Sequence, residues 1–200
     1  TMEAGAQSLD LRAAVTTAIT VNDTGTATTD SLTITNNAAA TDLFATANLA
    51  TGGFETVTFN TSGTGVATSQ DFGTIALAAD LGGTSTLNLV GSNSVTTTGA
   101  ITAGTIDASG LTGTAVLTMG AAAVGVTTIT GGLGADTLMG DASSTINGGA
   151  GNDAITGGTG NDTLNGGAGN DTITSDTGND TVDGGAGNDT VVLTATDASA

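Results

Sequence analysis

The chain has 200 residues, enough for one or two domains, and sets 19 acidic residues against a single basic one, Arg12, for a formal net charge of −18. Phosphate recognition needs Lys and Arg, so this balance argues against nucleic acid as a partner. There is no Cys, His, Lys, Trp, Tyr or Pro, which removes disulfides, thiolate and imidazole metal sites, imidazole bases and Schiff-base lysines.

The opening stretch TMEAGAQSLDLRAAV lacks the basic head and apolar core of a cleaved secretion signal, and no apolar run is long enough to span a membrane. The chain reads as a piece cut from a larger protein. Six short segments, at 31–37, 55–62, 84–91, 104–110, 114–120 and 126–132, are rich in β-branched residues, alternate in polarity, and are bounded by Gly, Asn or Ser. They are predicted as strands. The stretch 38–54 reads as a short helix or a capping loop, with Leu43, Phe44 and Leu49 covering an end or edge of the fold. From Ile106 the apolar centres fall at Leu117, Ile129, Leu138, Ile146 and Ile155, a step that shrinks from about a dozen residues to nine. That drift predicts one continuous solenoid.

From Gly131 the sequence repeats. GGLGADTLM begins at Gly131, a shortened GDASSTIN at Gly140, then GGAGNDAIT at Gly148, GGTGNDTLN at Gly157, GGAGNDTIT at Gly166, a degenerate SDTGNDTVD at Ser175, and GGAGNDTVV at Gly184. The pattern is G-G-x-G-x-D-x-U-x, with a large aliphatic U at Leu138, Ile146, Ile155, Leu164, Ile173, Val182 and Val191. Glycine permits a tight turn, and the short strand after it sends U inward. Two nonapeptides make one coil, so alternate repeats stack about 4.8 Å apart. A cation with oxygen ligands at roughly 2.3–2.6 Å fits between two such loops.

Parity places the loops at Gly131, Gly148, Gly166 and Gly184 on one edge, with Asp136, Asp153, Asp171 and Asp189. Those at Gly140, Gly157 and Ser175 lie on the other, with Asp162 and Asp180. The candidate metal residues are these six aspartates, the leading glycines Gly131, Gly148, Gly157, Gly166 and Gly184, and the turn glycines Gly151, Gly160, Gly169, Gly178 and Gly187. Three inter-coil sites are expected on the first edge and one on the second. The Gly140 loop has Ser144 or Thr145 where the aspartate belongs, so its site should be weak or empty. Asp176 and Asp183 read as solvated carboxylates, and Asp71, Asp80 and Asp107 leave open whether calcium binds upstream.

The nonapeptides over 131–192 resemble the RTX calcium-binding repeats of bacterial exported proteins, which implies a parallel β-roll holding several Ca²⁺ ions. The stretch TIDASGLTG…TITGGLGAD, with its Thr, Ala, Gly and Asn and its lack of Lys and Cys, resembles RTX-bearing surface-layer (S-layer) proteins. The fold expected is all-β: a longer-rung, β-helix-like parallel solenoid over 1–130 running into the roll at 131–192, with 193–200 a tail or the start of a further segment. The resemblance implies type I secretion and an extracellular, cell-surface location. It also implies a homo-oligomeric lattice, anchored to cell-surface polysaccharide through parts outside this chain. A non-enzymatic role follows from the missing catalytic residue types. The alternatives are an accessory module of a secreted enzyme or toxin, and an adhesin.

Overall fold

Short alternating strands satisfy their backbone only by pairing, and here they pair in parallel with the coil before and the coil after. The structure, a computed structural model, describes residues 6–11, 19–22, 30–36, 47–62, 69–78 and 85–194. Among these residues it is all-β and forms two parallel sheets. The first runs β1 (Ala6–Leu11), β3 (Ser31–Asn36), β5 (Thr56–Asn60), β7 (Thr86–Gly91), β10 (Thr105–Leu111), β12 (Thr128–Thr130), β14 (Thr145–Ala150), β16 (Thr163–Ala168), β18 (Thr181–Ala186). The second runs β2 (Ile19–Asn22), β4 (Ala47–Gly52), β6 (Ser69–Ala78), β8 (Ser94–Thr97), β11 (Leu117–Met119), β13 (Thr137–Met139), β15 (Ala154–Thr156), β17 (Thr172–Thr174), β19 (Thr190–Val192). The two-residue β9 (Ile101–Thr102) also pairs with β6. The chain alternates between the sheets, so each coil contributes a strand to each, and the coil of β7 and β8 adds the short β9 to the second. This is a parallel β-solenoid, as the sequence predicts.

The six predicted segments are β3, β5, β7, β10, β11 and β12. The helix or cap predicted over 38–54 is corrected in part: Ala47–Gly52 is a strand, hydrogen-bonded to β2 on one side and β6 on the other. Two ladders satisfy its backbone, and that tertiary pairing overrides the helix preference of Ala and Leu. Leu43 and Phe44 lie outside the described residues.

Inward positions stack into columns. Leu32, Val57, Leu87, Ile106, Ile129, Ile146 and Leu164 follow one another in register through the first sheet and are at most 1% exposed. Leu138, Ile155 and Ile173 do the same in the second sheet. Each such side chain contributes about 1.5–3 kcal/mol by leaving water. Among the described residues nothing stacks beyond β18 and β19. Val182 is accordingly half-buried and Val191 is 43% exposed.

The separation of stacked residues is 25 between Asp30 and Glu55 and 30 between Thr58 and Asn88. It is then 19 and 23, and finally 17 or 18 in the glycine repeats. The longer coils enclose a wider section, which buried Phe54, Phe59 and Phe72 fill, the last two meeting edge to face at 5.0 Å. The short coils close around single facing aliphatics. Their turns bring backbone onto backbone. Gly169 has φ of 140°, and a Cβ there would collide with the carbonyl oxygen of Gly151 one coil earlier.

Ile155→Ala opens a cavity between Leu138 and Ile173. The expected cost is about 2–5 kcal/mol, read by denaturant unfolding of variant and parent in one buffer.

Candidate metal centre

The loops leading from the first sheet to the second carry Asp136, Asp153, Asp171 and Asp189. Those leading back carry Ser144, Asp162 and Asp180. Each aspartate immediately precedes its three- or six-residue strand, so the register of the strands sets the register of the carboxylates. On the first edge Asp153 Oδ1 accepts the backbone N–H of Asp136 at 2.8 Å, Asp171 Oδ1 that of Asp153 at 2.8 Å, and Asp189 Oδ1 that of Asp171 at 3.0 Å. On the second edge Asp162 Oδ1 accepts from Ser144 N at 2.6 Å and Asp180 Oδ1 from Asp162 N at 2.8 Å. One oxygen of each carboxylate therefore ties its coil to the coil before.

The other oxygen has a different fate. Oδ2 of Asp153, Asp162, Asp171 and Asp180 is buried with no hydrogen-bond partner among the described residues. Asp153 and Asp162 are 2% exposed and Asp171 is 1% exposed. A buried carboxylate oxygen without a donor is strongly unfavourable, and no cationic side chain occurs in the repeats to relieve it. The Oδ2 atoms of Asp153, Asp162 and Asp171 point at the first glycine of their own loop, a place that Ser175 takes in the loop of Asp180. A Cβ on Gly157 would meet Ser175 O at 2.7 Å and Asp162 Oδ2 at 2.9 Å. At Gly148 the same point faces Asp153 Oδ2 and Gly166 O, and at Gly166 it faces Asp171 Oδ2 and Gly184 O. Glycine at this position keeps open a spot where a carboxylate of one coil and a carbonyl of the next converge.

The donors are all hard oxygens, which suits Ca²⁺ or Mg²⁺ rather than a soft metal. Among the described residues no three acidic side chains converge on one point. A cation between two loops must then draw on carbonyls as well as carboxylates, a mixed and pliable set that favours Ca²⁺ over the stricter octahedron of Mg²⁺.

Residues 128–144, 143–164 and 156–191 match the family model of the RTX calcium-binding nonapeptide repeat (4 copies). This stretch carries RTX repeats. The match supports an RTX β-roll and a calcium-binding module in this part of the chain. No curated protein and no solved structure matches the chain.

Ser144 occupies the aspartate position of the Gly140 loop: its N–H meets Asp162 Oδ1, and its own Oγ turns to Val126 O at 3.3 Å. Ser143, at φ of 50°, lies against Gly160, so the deleted residue is the one between Ser143 and Ser144. Asp176 takes a left-handed turn position at φ of 66°, and Asp183 is exposed, accepting Gly185 N at 3.0 Å. Asp71 and Asp107 sit on β6 and β10. Their register neighbours, Thr96 for the one and Asn88 and Thr130 for the other, carry no carboxylate. Asp80 lies outside the described residues. Sequence reading missed Asp30 and Glu55. Asp30 is 2% exposed and its N–H donates to Glu55 Oε2 at 2.7 Å, the same coil-to-coil bond that the repeats use. A 25-residue spacing without glycine repeats gave no signal for it.

Desolvation pushes the carboxyls of Asp136, Asp153 and Asp162 above the ordinary carboxylate range, Asp153 to about 6. Backbone N–H bonds oppose the rise. The charges of Asp136 and Asp171 add to it at Asp153, and those of Asp180 and Asp176 add to it at Asp162. A carboxyl whose folded pKa is raised above its unfolded value stabilises the fold below the unfolded pKa and loses that contribution as pH rises through the folded one. In chelator, the thermal midpoint of the chain is therefore expected to rise as pH falls from 7 towards 4. Circular dichroism melts across that range check this; a flat or inverted profile would count against buried ionised carboxylates.

Proposed function

We propose that this chain is a calcium-stabilised structural segment of a secreted bacterial surface-layer protein. The observation that carries the reading is the set of buried, partnerless Oδ2 atoms of Asp153, Asp162, Asp171 and Asp180, in a chain whose only basic residue is Arg12. Asp153, Asp171 and Asp189 on one edge, and Asp162 and Asp180 on the other, would hold the ions together with loop carbonyls. Bound Ca²⁺ supplies the positive charge that the chain lacks. A site absent from the unfolded chain makes binding energy into folding energy, so the roll orders where calcium is plentiful, outside the cell. Export in an unfolded state by a type I route is consistent with that dependence.

A structural rather than catalytic role is supported by the residue types present, which offer no imidazole, thiol or amine. The surface-layer reading is further supported by one core running without a break from Leu32 to Ile173. Thr56, Thr86, Thr105, Thr128, Thr145 and Thr163 also stand in register along the first sheet, a rank of hydroxyls suited to contacts between copies in a lattice.

A Ca²⁺ titration followed by far-UV circular dichroism, with Mg²⁺ as control, is expected to show a gain of β-signal with Ca²⁺ alone, as the repeat coils order. Asp171→Asn, which removes one ligand charge, should raise the Ca²⁺ midpoint about tenfold. Electron microscopy of the calcium-loaded sample is expected to show sheets. A β-rich spectrum in chelator that calcium leaves unmoved would overturn the calcium reading. Hydrolytic activity of the chain would overturn the structural one.

A further inference from the structure

Asp136 shares with the other repeat aspartates the approach of its Oδ2 to the first glycine of its loop, Gly131, and to the next coil's Gly148 O, but it differs from them in its hydrogen bonds. Both of its oxygens are satisfied by backbone: Oδ1 accepts Leu117 N at 2.6 Å and Oδ2 accepts Gly132 N at 2.6 Å. The next aspartate in its column, Asp153, has the Oδ1 bond but leaves Oδ2 without a partner. The column explains why. Thr118 pairs with Thr137, which sets Asp136 beside Leu117, and Leu117 pairs with Val95, which pairs with Gln70. Upstream of Asp136 the inward position is neutral and fully buried. Downstream it is a carboxylate at every coil.

The opposite edge behaves alike at the same height. Its first aspartate is Asp162, and the coil before it holds neutral Ser144. Between Ser85 and Ala135 the one acidic residue is Asp107, which occupies neither inward column. The coils of that span are held by parallel ladders around buried aliphatics such as Leu87, Ile106 and Leu117. Nothing in them demands a counter-ion.

Resting on the calcium reading above, we propose that Asp136 is a positioning residue rather than a metal ligand. It closes a cation-independent solenoid that ends at β13 and presents a finished edge on which the cation-dependent coils, from β15 onward, are laid down. Two N–H donors replace the ion at this one coil. The carboxylate bonds to the coil before it while its own N–H is received by Asp153 Oδ1, so Asp136 is the joint between two modes of compensating an inward residue. In a solenoid each coil contacts only its neighbours, so a preformed edge removes the cost of nucleating the first calcium-bound coil.

Hydrogen exchange with mass spectrometry on the 200-residue chain tests this, in Ca²⁺ and in chelator. Peptides from 86–139 are expected to be equally protected in both. Peptides from 154–192 should exchange about a hundredfold faster in chelator than at a free Ca²⁺ concentration a hundred times the dissociation constant. Loss of protection in both segments together in chelator would overturn the template while leaving the calcium reading intact. Retention in both would overturn the calcium reading and the proposal with it. Two variants separate the roles. Asp136→Asn sets an amide nitrogen, a donor, against the N–H of Gly132 or Leu117. It should speed exchange at those two amides in either condition and leave the number of bound ions, counted by equilibrium dialysis with Ca²⁺, unchanged. Asp153→Asn should lower that number without affecting Leu117 and Gly132 in chelator. A loss of bound calcium in Asp136→Asn equal to that in Asp153→Asn would overturn the assignment.

Discussion

An inward-facing carboxylate inside a narrow β-coil is tolerable only where something positive meets it, and this constraint orders the C-terminal third of the molecule. Stacking at about 4.8 Å brings neighbouring carboxylates close enough to repel by roughly 3.5 kcal/mol per pair at an effective dielectric of about 20. Burying an aliphatic U side chain returns about 1.5–3 kcal/mol. The two quantities are of one size. Ladder bonds and a thin apolar core therefore leave the repeat coils near balance, and the charge compensation decides whether they form.

The glycines follow from the same constraint. In the repeats that begin at Gly131, Gly148, Gly157 and Gly166, the first glycine keeps open the spot where its own aspartate's Oδ2 and the next coil's carbonyl converge. The fourth lets one backbone lie on another, as at Gly169 over Gly151. The asparagine between the fourth glycine and the aspartate works outside the carboxylate column: Asn170 N–H donates to Asn152 Oδ1 at 2.8 Å and Asn188 N–H to Asn170 Oδ1 at 2.8 Å. In the run GND, then, a neutral amide ladder and an inner carboxylate ladder lie side by side, both joining coils 18 residues apart.

What the sequence made legible depended on how strictly packing dictates residue type. Ile146, Ile155, Leu164 and Ile173 can only be aliphatic at the centre of an 18-residue coil, and their nine-residue spacing exposes the roll. Where coils are longer, several side chains share the interior and no single position is fixed. Strand β6 has Gly73 in its middle and a register shift against β4, and β8 is only four residues long, so neither carried a clean alternation. The reading of 38–54 as helix or cap failed over Ala47–Gly52 because ladder partners in β2 and β6, remote in sequence, outweigh local propensity. At the candidate site, the aspartate positions were legible from spacing. The division of labour between Oδ1 and Oδ2 was not, because it depends on whether an N–H of the coil before lies within reach.

That division shows how one architecture hosts two chemistries of stabilisation. From Leu32 to Leu138 the solenoid is held as most β-proteins are, by inward aliphatics and paired backbone. From Asp153 on, the same two columns on the same two sheets carry carboxylates, and the register does not change. Strand direction, pairing and the U column continue across Asp136, so the transition needs no linker and no new fold. It needs only that inward Leu117 be followed by Asp136, and that Asp136 find its two donors in the backbone already built beneath and around it. On the calcium reading proposed above, ion dependence is a property of the side chain at one repeated position, carried on a scaffold that is indifferent to it.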